Sequence, residues 1–193
     1  MGQPKMWLPF GDEVMLQRLT RTMRQVTQPV AVVAAEDQEL PELHPETLVC
    51  RDEFPDKGPL SGIYTGLKLL HENGVESAFV TACDCPFLKP EFVRFLADRF
   101  TRDFDSVLLT DGKYHYVLSA IFRTKLYDSA KRLLDHNQLR PIKLCDASSS
   151  LVLDIDAARI SDPQLESLMN LNSPEDYEAA LQKLNCENNH TNP

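Results

Sequence analysis

Apolar positions along the chain keep changing their rhythm between the helical and the extended period. Met15, Leu19, Met23 and Val26 recur at three- and four-residue spacing, which predicts a helix over 12–28 ended by Pro29. Val30-Ala31-Val32-Val33-Ala34 is then apolar without a break, as in a strand buried on both faces of a parallel sheet, and Leu48-Val49-Cys50 is a second short strand. Gly58-Pro59-Leu60-Ser61-Gly62 breaks the chain before Leu60, Ile63, Leu67 and Leu70 resume the helical spacing, and Gly74 closes that helix. A third strand over 77–83 runs into Asp84-Cys85-Pro86, and Pro90 opens a helix carrying Phe92, Phe95, Leu96 and Phe100. Strands over 106–110 and 117–122 are joined through the turn dipeptide Asp111-Gly112, with a helix from Thr124 to about His136 after them. Residues 151–156 alternate as a strand, Ser173-Pro174-Glu175-Asp176 opens a last helix to about Leu184, and 188–193 reads as a disordered tail. Strands and helices taking turns in this way imply a three-layer α/β domain with a mostly parallel sheet and right-handed crossovers.

At 193 residues the chain suits a single domain, 1–193, against a prior of roughly 150 residues per domain. Hydrophobic residues make up 42% and charged residues 25%, a globular rather than a disordered balance. The net charge of −9 disfavours a surface that tracks nucleic-acid phosphates and points to a small-molecule ligand. No apolar run approaches the roughly 18 residues of a membrane span, and the first residues lack the pattern of a secretory signal. The 5 cysteines are odd in number and scattered, which fits a reducing cytoplasm better than a disulfide framework.

In parallel α/β sheets ligands sit beyond the carboxyl ends of the strands, so residues just after strands are the first to question. Asp84 is one of these, and its carboxylate suits a magnesium ion carried by a nucleotide, although an aspartate there also caps turns. Gly58 to Gly62 lead into a helix whose free amides would favour an anion, while a tight turn explains the same glycines. Cys83-x-Cys85 has the wrong spacing for a zinc pair and no second pair to complete one. Among the histidines, His136 suits a helix end, which leaves His115, after Asp111-Gly112, as the candidate for chemistry.

Four pieces of this sequence, in order, resemble the molybdenum cofactor guanylyltransferase family. Met1-Gly2-Gln3-Pro4-Lys5 resembles the end of the family signature Gly-Gly-x-Ser-x-Arg-Met-Gly-x-x-Lys, and Gly58-Pro59-Leu60-Ser61-Gly62-Ile63 resembles its Gly-Pro-Leu-Ala-Gly-Ile turn. Thr81-Ala82-Cys83-Asp84-Cys85-Pro86-Phe87 resembles its metal-binding strand end, and Asn170-Leu171-Asn172-Ser173-Pro174-Glu175-Asp176 resembles its Asn-x-Asn-Thr-Pro-Glu-Asp segment. The resemblance implies a Rossmann-like nucleotidyltransferase fold in which Lys5 neutralises nucleotide phosphates, Asp52 and Gly58 help hold the nucleotide, and Asp84 binds Mg2+. It puts Lys5 and Asp84 in the catalytic role, and His115, Arg140, Asn170 and Asn172 near the pterin substrate, with loop stabilisation as the other reading of the two asparagines.

The implied reaction transfers GMP from GTP to the molybdopterin cofactor and releases pyrophosphate. Its implied partners are those two substrates, with transient contacts to molybdopterin-handling proteins or apo-molybdoenzymes. A cytidylyltransferase on the same pterin, and a non-catalytic nucleotide- or pterin-binding module, are the other readings. The resemblance departs at two places. Ala34 stands where the family commonly has a nucleotide-contacting asparagine, and the Gly-Gly loop with the first strand that carries it is expected upstream of Met1, in a longer natural protein.

Overall fold

A computed structural model describes residues 4–191. Its elements, in chain order, are β1 (Pro9–Phe10), β2 (Glu13–Val14), α1 (Met15–Arg24), β3 (Ala31–Ala34), β4 (Leu48–Arg51), α2 (Pro59–Glu72), β5 (Ser77–Thr81), α3 (Pro90–Ala97), β6 (Ser106–Thr110), β7 (Ser119–Arg123), α4 (Tyr127–Asp135), α5 (Ile142–Asp146), β8 (Ser150–Asp154) and α6 (Pro174–Thr191). Short 3-10 segments lie at Lys5–Trp7, Thr124–Leu126, Ile155–Ile160 and Glu166–Leu168.

The main sheet has the order β5-β7-β6-β8, β3 and β4 form a separate parallel pair, and β1 and β2 form a small hairpin. Period-2 alternation divides the main sheet between two cores. Leu108, Ala120 and Phe122, with Ala78 and Val80, face the side covered by α2, α4 and α5. Val107, Leu109 and Ile121, with Phe79, Leu151 and Leu153, face α1, α3 and the 3-10 turn holding Ala158. Helices on both faces of a sheet are the three layers expected.

The direction of the strands differs from the expectation of a mostly parallel sheet. β7 lies between β5 and β6 and runs antiparallel to both, while only β6 and β8 pair in parallel within that sheet. The cause lies in the connection. β6 reaches β7 across the Asp111-Gly112 turn, where the Asp111 carboxylate accepts from the amides of Lys113 and Tyr114, and so short a link returns the chain antiparallel. The last helix also departs from expectation, since its backbone stays helical through Thr191 instead of giving way to a tail at 188. No glycine or proline interrupts 175–191, and extending an existing helix adds one bond per residue fixed. The short α5 lies outside the predicted elements, because five residues cannot establish a helical period.

Candidate functional site

Asp84 sits where the chain leaves β5, three residues beyond the end of that strand. Lys5 reaches it from the amino-terminal 3-10 turn, its Nζ donating to Asp84 Oδ2 at 2.8 Å and to Asn172 Oδ1 at 2.9 Å. Two neighbours hold Lys5 in place. Met6 is buried in a cluster with Leu16 and Val32, and Trp7 Nε1 donates to the Glu39 carbonyl at 3.2 Å. The pair stays accessible, with the Lys5 side chain 30% and the Asp84 side chain 13% exposed.

The segment before α6 closes over the other side of Asp84. The Leu171 amide donates to the Asp84 carbonyl at 3.0 Å, and the Leu171 side chain packs in the core of Leu8, Phe10 and Phe87. Asn170 Oδ1 accepts from Cys85 Sγ at 3.1 Å. Asp176 Oδ2 accepts from the amides of Asn172 and Ser173 while the Asp176 amide donates to Ser173 Oγ, a reciprocal cap that fixes the start of α6. The Asn172 amide, followed by that of Ser173, holds the Asp176 carboxyl below its ordinary value. Thus both asparagines have a defined place: the side chain of Asn172 belongs to the charged cluster and that of Asn170 braces Cys85.

Burial, reinforced by the Asp84 carboxylate, raises the Cys83 thiol and pushes the Cys85 thiol up to about 12. Both shifts favour the neutral thiol over the nucleophilic thiolate. Among the described residues no group of three or more His, Cys, Asp and Glu side chains converges as a metal cage. The hard donors at the strand end are therefore the Asp84 carboxylate and the amide oxygen of Asn172. That set is sparse for calcium, but it fits magnesium, which takes one or two carboxylates and fills its remaining positions with water and substrate phosphate.

Asp52 has a local task in the loop after β4. Its Oδ1 accepts from Ser61 Oγ, from the Phe54 amide at 3.1 Å and from Thr65 Oγ1 at 3.5 Å, which ties that loop to the first turns of α2. Gly58, at the amino-terminal cap of α2, has φ +69°, a conformation that favours glycine for its backbone, since a Cβ there would meet open space. His115 is exposed on the β6–β7 connection, which leaves the sheet at the same edge as the carboxyl end of β5, and Arg140 is exposed ahead of α5. Ala34, 3% exposed, turns only a methyl group into the core. Met1, Gly2 and Gln3 of the first motif lie outside the described residues. No local pattern encodes the contact of Cys85 with Asn170 or of Ser61 with Asp52, whereas Ser173 followed three residues later by Asp176 is a capping spacing legible in the chain.

The chain is similar to several known proteins. Residues 1–150 match the family model of the MobA-like NTP transferase domain. A curated relative from Mycobacterium tuberculosis, called "Probable molybdenum cofactor guanylyltransferase", is 37% identical over 185 residues, 94% of this chain and 87% of the relative. One of the same name from Carboxydothermus hydrogenoformans is 33% identical over 189 residues, with 94% and 88% covered. Among solved structures, molybdopterin-guanine dinucleotide biosynthesis protein A from Archaeoglobus fulgidus superposes with a TM-score of 0.77 at 18% identity, covering 97% of this chain and 92% of that one. The 2-C-methyl-D-erythritol 4-phosphate cytidylyltransferase of Thermus thermophilus gives 0.70 at 13% identity with 95% of each chain covered, a likeness of fold.

Proposed function

This chain belongs to the molybdenum cofactor guanylyltransferase family, within the MobA-like NTP transferases, and from that membership we propose that it transfers GMP from GTP to the molybdenum–molybdopterin cofactor. The observation that carries the reading is the Lys5, Asp84 and Asn172 cluster at the carboxyl end of β5, built from segments that resemble the family's motifs. In the reaction a terminal phosphate oxygen of the pterin cofactor attacks the α-phosphorus of GTP in line. The bond to the bridging oxygen of the β-phosphate breaks, and pyrophosphate leaves with that electron pair. No covalent intermediate on the protein is needed, so rate acceleration rests on positioning and on neutralising crowded anionic oxygens.

Lys5 supplies a cation for those oxygens, and its bond to Asn172 keeps the ammonium aimed across the mouth of the site. Asp84, with Asn172 beside it, would hold Mg2+ arriving with the nucleotide, and the ion would supply further charge neutralisation at the phosphates. The free amides behind Gly58 at the start of α2 favour an anion, and Asp52, locked by Ser61, steadies the loop that leads to them. His115 and Arg140 are assigned to the pterin side of the site as exposed groups able to reach a large substrate. The cytoplasm is the proposed location. All 5 cysteines are free thiols, and among the described residues no helix is long and apolar enough to cross a membrane. Transient contacts with molybdopterin-handling proteins and apo-molybdoenzymes would bring the substrate and remove the product.

Pyrophosphate release tests the assignment. With magnesium and molybdenum–molybdopterin present, release is expected with GTP and to stay at background with CTP and ATP. Turnover preferring CTP would make the chain a cytidylyltransferase, and nucleotide binding without release from any triphosphate would make it a binding module.

A further inference from the structure

Lys5 Nζ rests on Asp84 Oδ2 at 2.8 Å and on Asn172 Oδ1 at 2.9 Å, and these are the same two groups that offer hard oxygens at the strand end. A single ammonium therefore stands on both donors that a divalent cation would use. Magnesium binds carboxylate oxygen at about 2.1 Å, so an ion on Oδ2 would lie within about 5 Å of an ammonium left where it is. The Asp84 side chain is only 13% exposed, and between like charges so close and so poorly solvated repulsion is strong. The two cations exclude each other from that oxygen. The surrounding charge acts in the same sense. The Asp176 carboxyl, lowered chiefly by the Asn172 and Ser173 amides, is lowered by Lys5 as well, so the ammonium offsets negative charge on both sides of the cluster. Its backbone is fixed while its side chain can turn. The Leu8 amide donates to the Lys5 carbonyl at 3.1 Å, the Trp7 amide donates to that of Pro4 at 3.0 Å, and Met6 is buried next in line. The ammonium itself ends a long flexible stem whose side chain is 30% exposed.

From this geometry we propose that Lys5 is an exchangeable counterion of the metal site. It occupies both donors while nucleotide is absent, keeps a free divalent ion out, and yields only to an ion that arrives with phosphates. This role rests on the nucleotidyltransferase reading of the site and adds an order of binding to it. A bare ion offers the displaced ammonium no new partner, so taking Asp84 from Lys5 leaves two cations crowded together. An ion carried by a triphosphate brings anionic oxygens with it. The ammonium then moves from carboxylate to phosphate as the carboxylate passes from ammonium to metal, and no covalent bond changes. Metal and nucleotide are coupled as a consequence, each tightening the other, and that coupling is reciprocal.

Manganese shares magnesium's preference for carboxylate, carbonyl and water oxygens, and its free ion can be counted by electron paramagnetic resonance. The test titrates Mn2+ alone into the 193-residue chain and into Lys5→Met, which keeps a stem of similar length without the charge. The variant is expected to bind Mn2+ alone about tenfold more tightly than the parent. In calorimetry at saturating Mn2+ the same variant is expected to bind GTP about tenfold more weakly, because the phosphates have lost their ammonium. The two changes have opposite signs, which a general loosening of the site does not produce. The gain in Mn2+ affinity should vanish when Asp84→Asn is added to Lys5→Met, which locates the ion. If circular dichroism shows that Lys5→Met does not fold, Lys5→Gln takes its place in every titration. The proposal is overturned if Mn2+ affinity without nucleotide is undetectable in the variant or stays within about twofold of the parent, since the ammonium then does not bar the ion. It is also overturned if the gain survives the loss of Asp84, or if GTP affinity is unaltered. The comparison with Mn2+ alone involves neither nucleotide nor pterin nor turnover, so its outcome is separate from that of the pyrophosphate assay.

Discussion

At the residue scale the site depends on Asp84 keeping a negative charge beside Lys5. Replacing it with asparagine preserves shape and one acceptor while removing the charge that would attract both the ammonium and a divalent ion. Asp84→Asn is expected to lower kcat about a hundredfold, equivalent to about 2.7 kcal/mol of transition-state stabilisation, with an unchanged circular dichroism spectrum. Turnover within a few-fold of the parent would remove Asp84 from the machinery. How legible such a residue is depends on what identifies it. Asp84 was readable because it follows a strand and Lys5 because it closes a motif, but the bond from Lys5 to Asn172 spans 167 positions and no local pattern encodes it. Asp52 shows the opposite case. A motif suggests a nucleotide contact, while three donors from its own loop and α2 already converge on one of its carboxylate oxygens.

Among elements, α6 and its cap are tied most directly to the site. Ser173→Ala removes the hydroxyl that accepts from the Asp176 amide, and the expected loss of stability is about 1 kcal/mol by denaturant titration. Because Asn172 precedes the cap, KM for the nucleotide should rise in the same variant, whereas a purely structural loss would leave KM unchanged. A second anchor lies beside it, where Lys89 at the start of α3 donates to Asp162 Oδ1 at 2.9 Å and pairs with Glu166 at 2.5 Å, and Lys183 of α6 also pairs with Glu166. Burial acts to raise the Asp162 carboxyl, but the Ser167 amide and Lys89 outweigh it and the net shift is downward. At Glu166 burial is likewise overcome, by Lys183 and Lys89. Lowered folded-state values mean stability that is present above the unfolded values near pH 4 and is lost as pH falls through the folded ones. Lys89→Met should cost about 2 kcal/mol at pH 7, and its deficit relative to the parent chain should shrink in melts taken below about pH 4. A deficit independent of pH would assign Lys89 to packing alone. Elements were legible where an apolar period was long, as in α2, and not where a direction depended on a neighbour, as with β7.

Over the whole molecule, the two extremities of the described chain meet. Lys5 bonds to Asn172, the Tyr177 hydroxyl donates to the Pro9 carbonyl at 2.5 Å, and Leu8 and Phe10 share a core with Leu171, Ala180 and Leu184. A chain ended at residue 169 is accordingly expected to lose magnesium-dependent nucleotide binding in calorimetry even where its central sheet still folds. That closure has a meaning in time as well as in space. During synthesis Lys5 is made long before Asn172, and the bond between them waits until the segment ahead of α6 has cleared the ribosome. The charged cluster is therefore among the last features to form, and a prematurely terminated product carries the motifs of the site without ever assembling it.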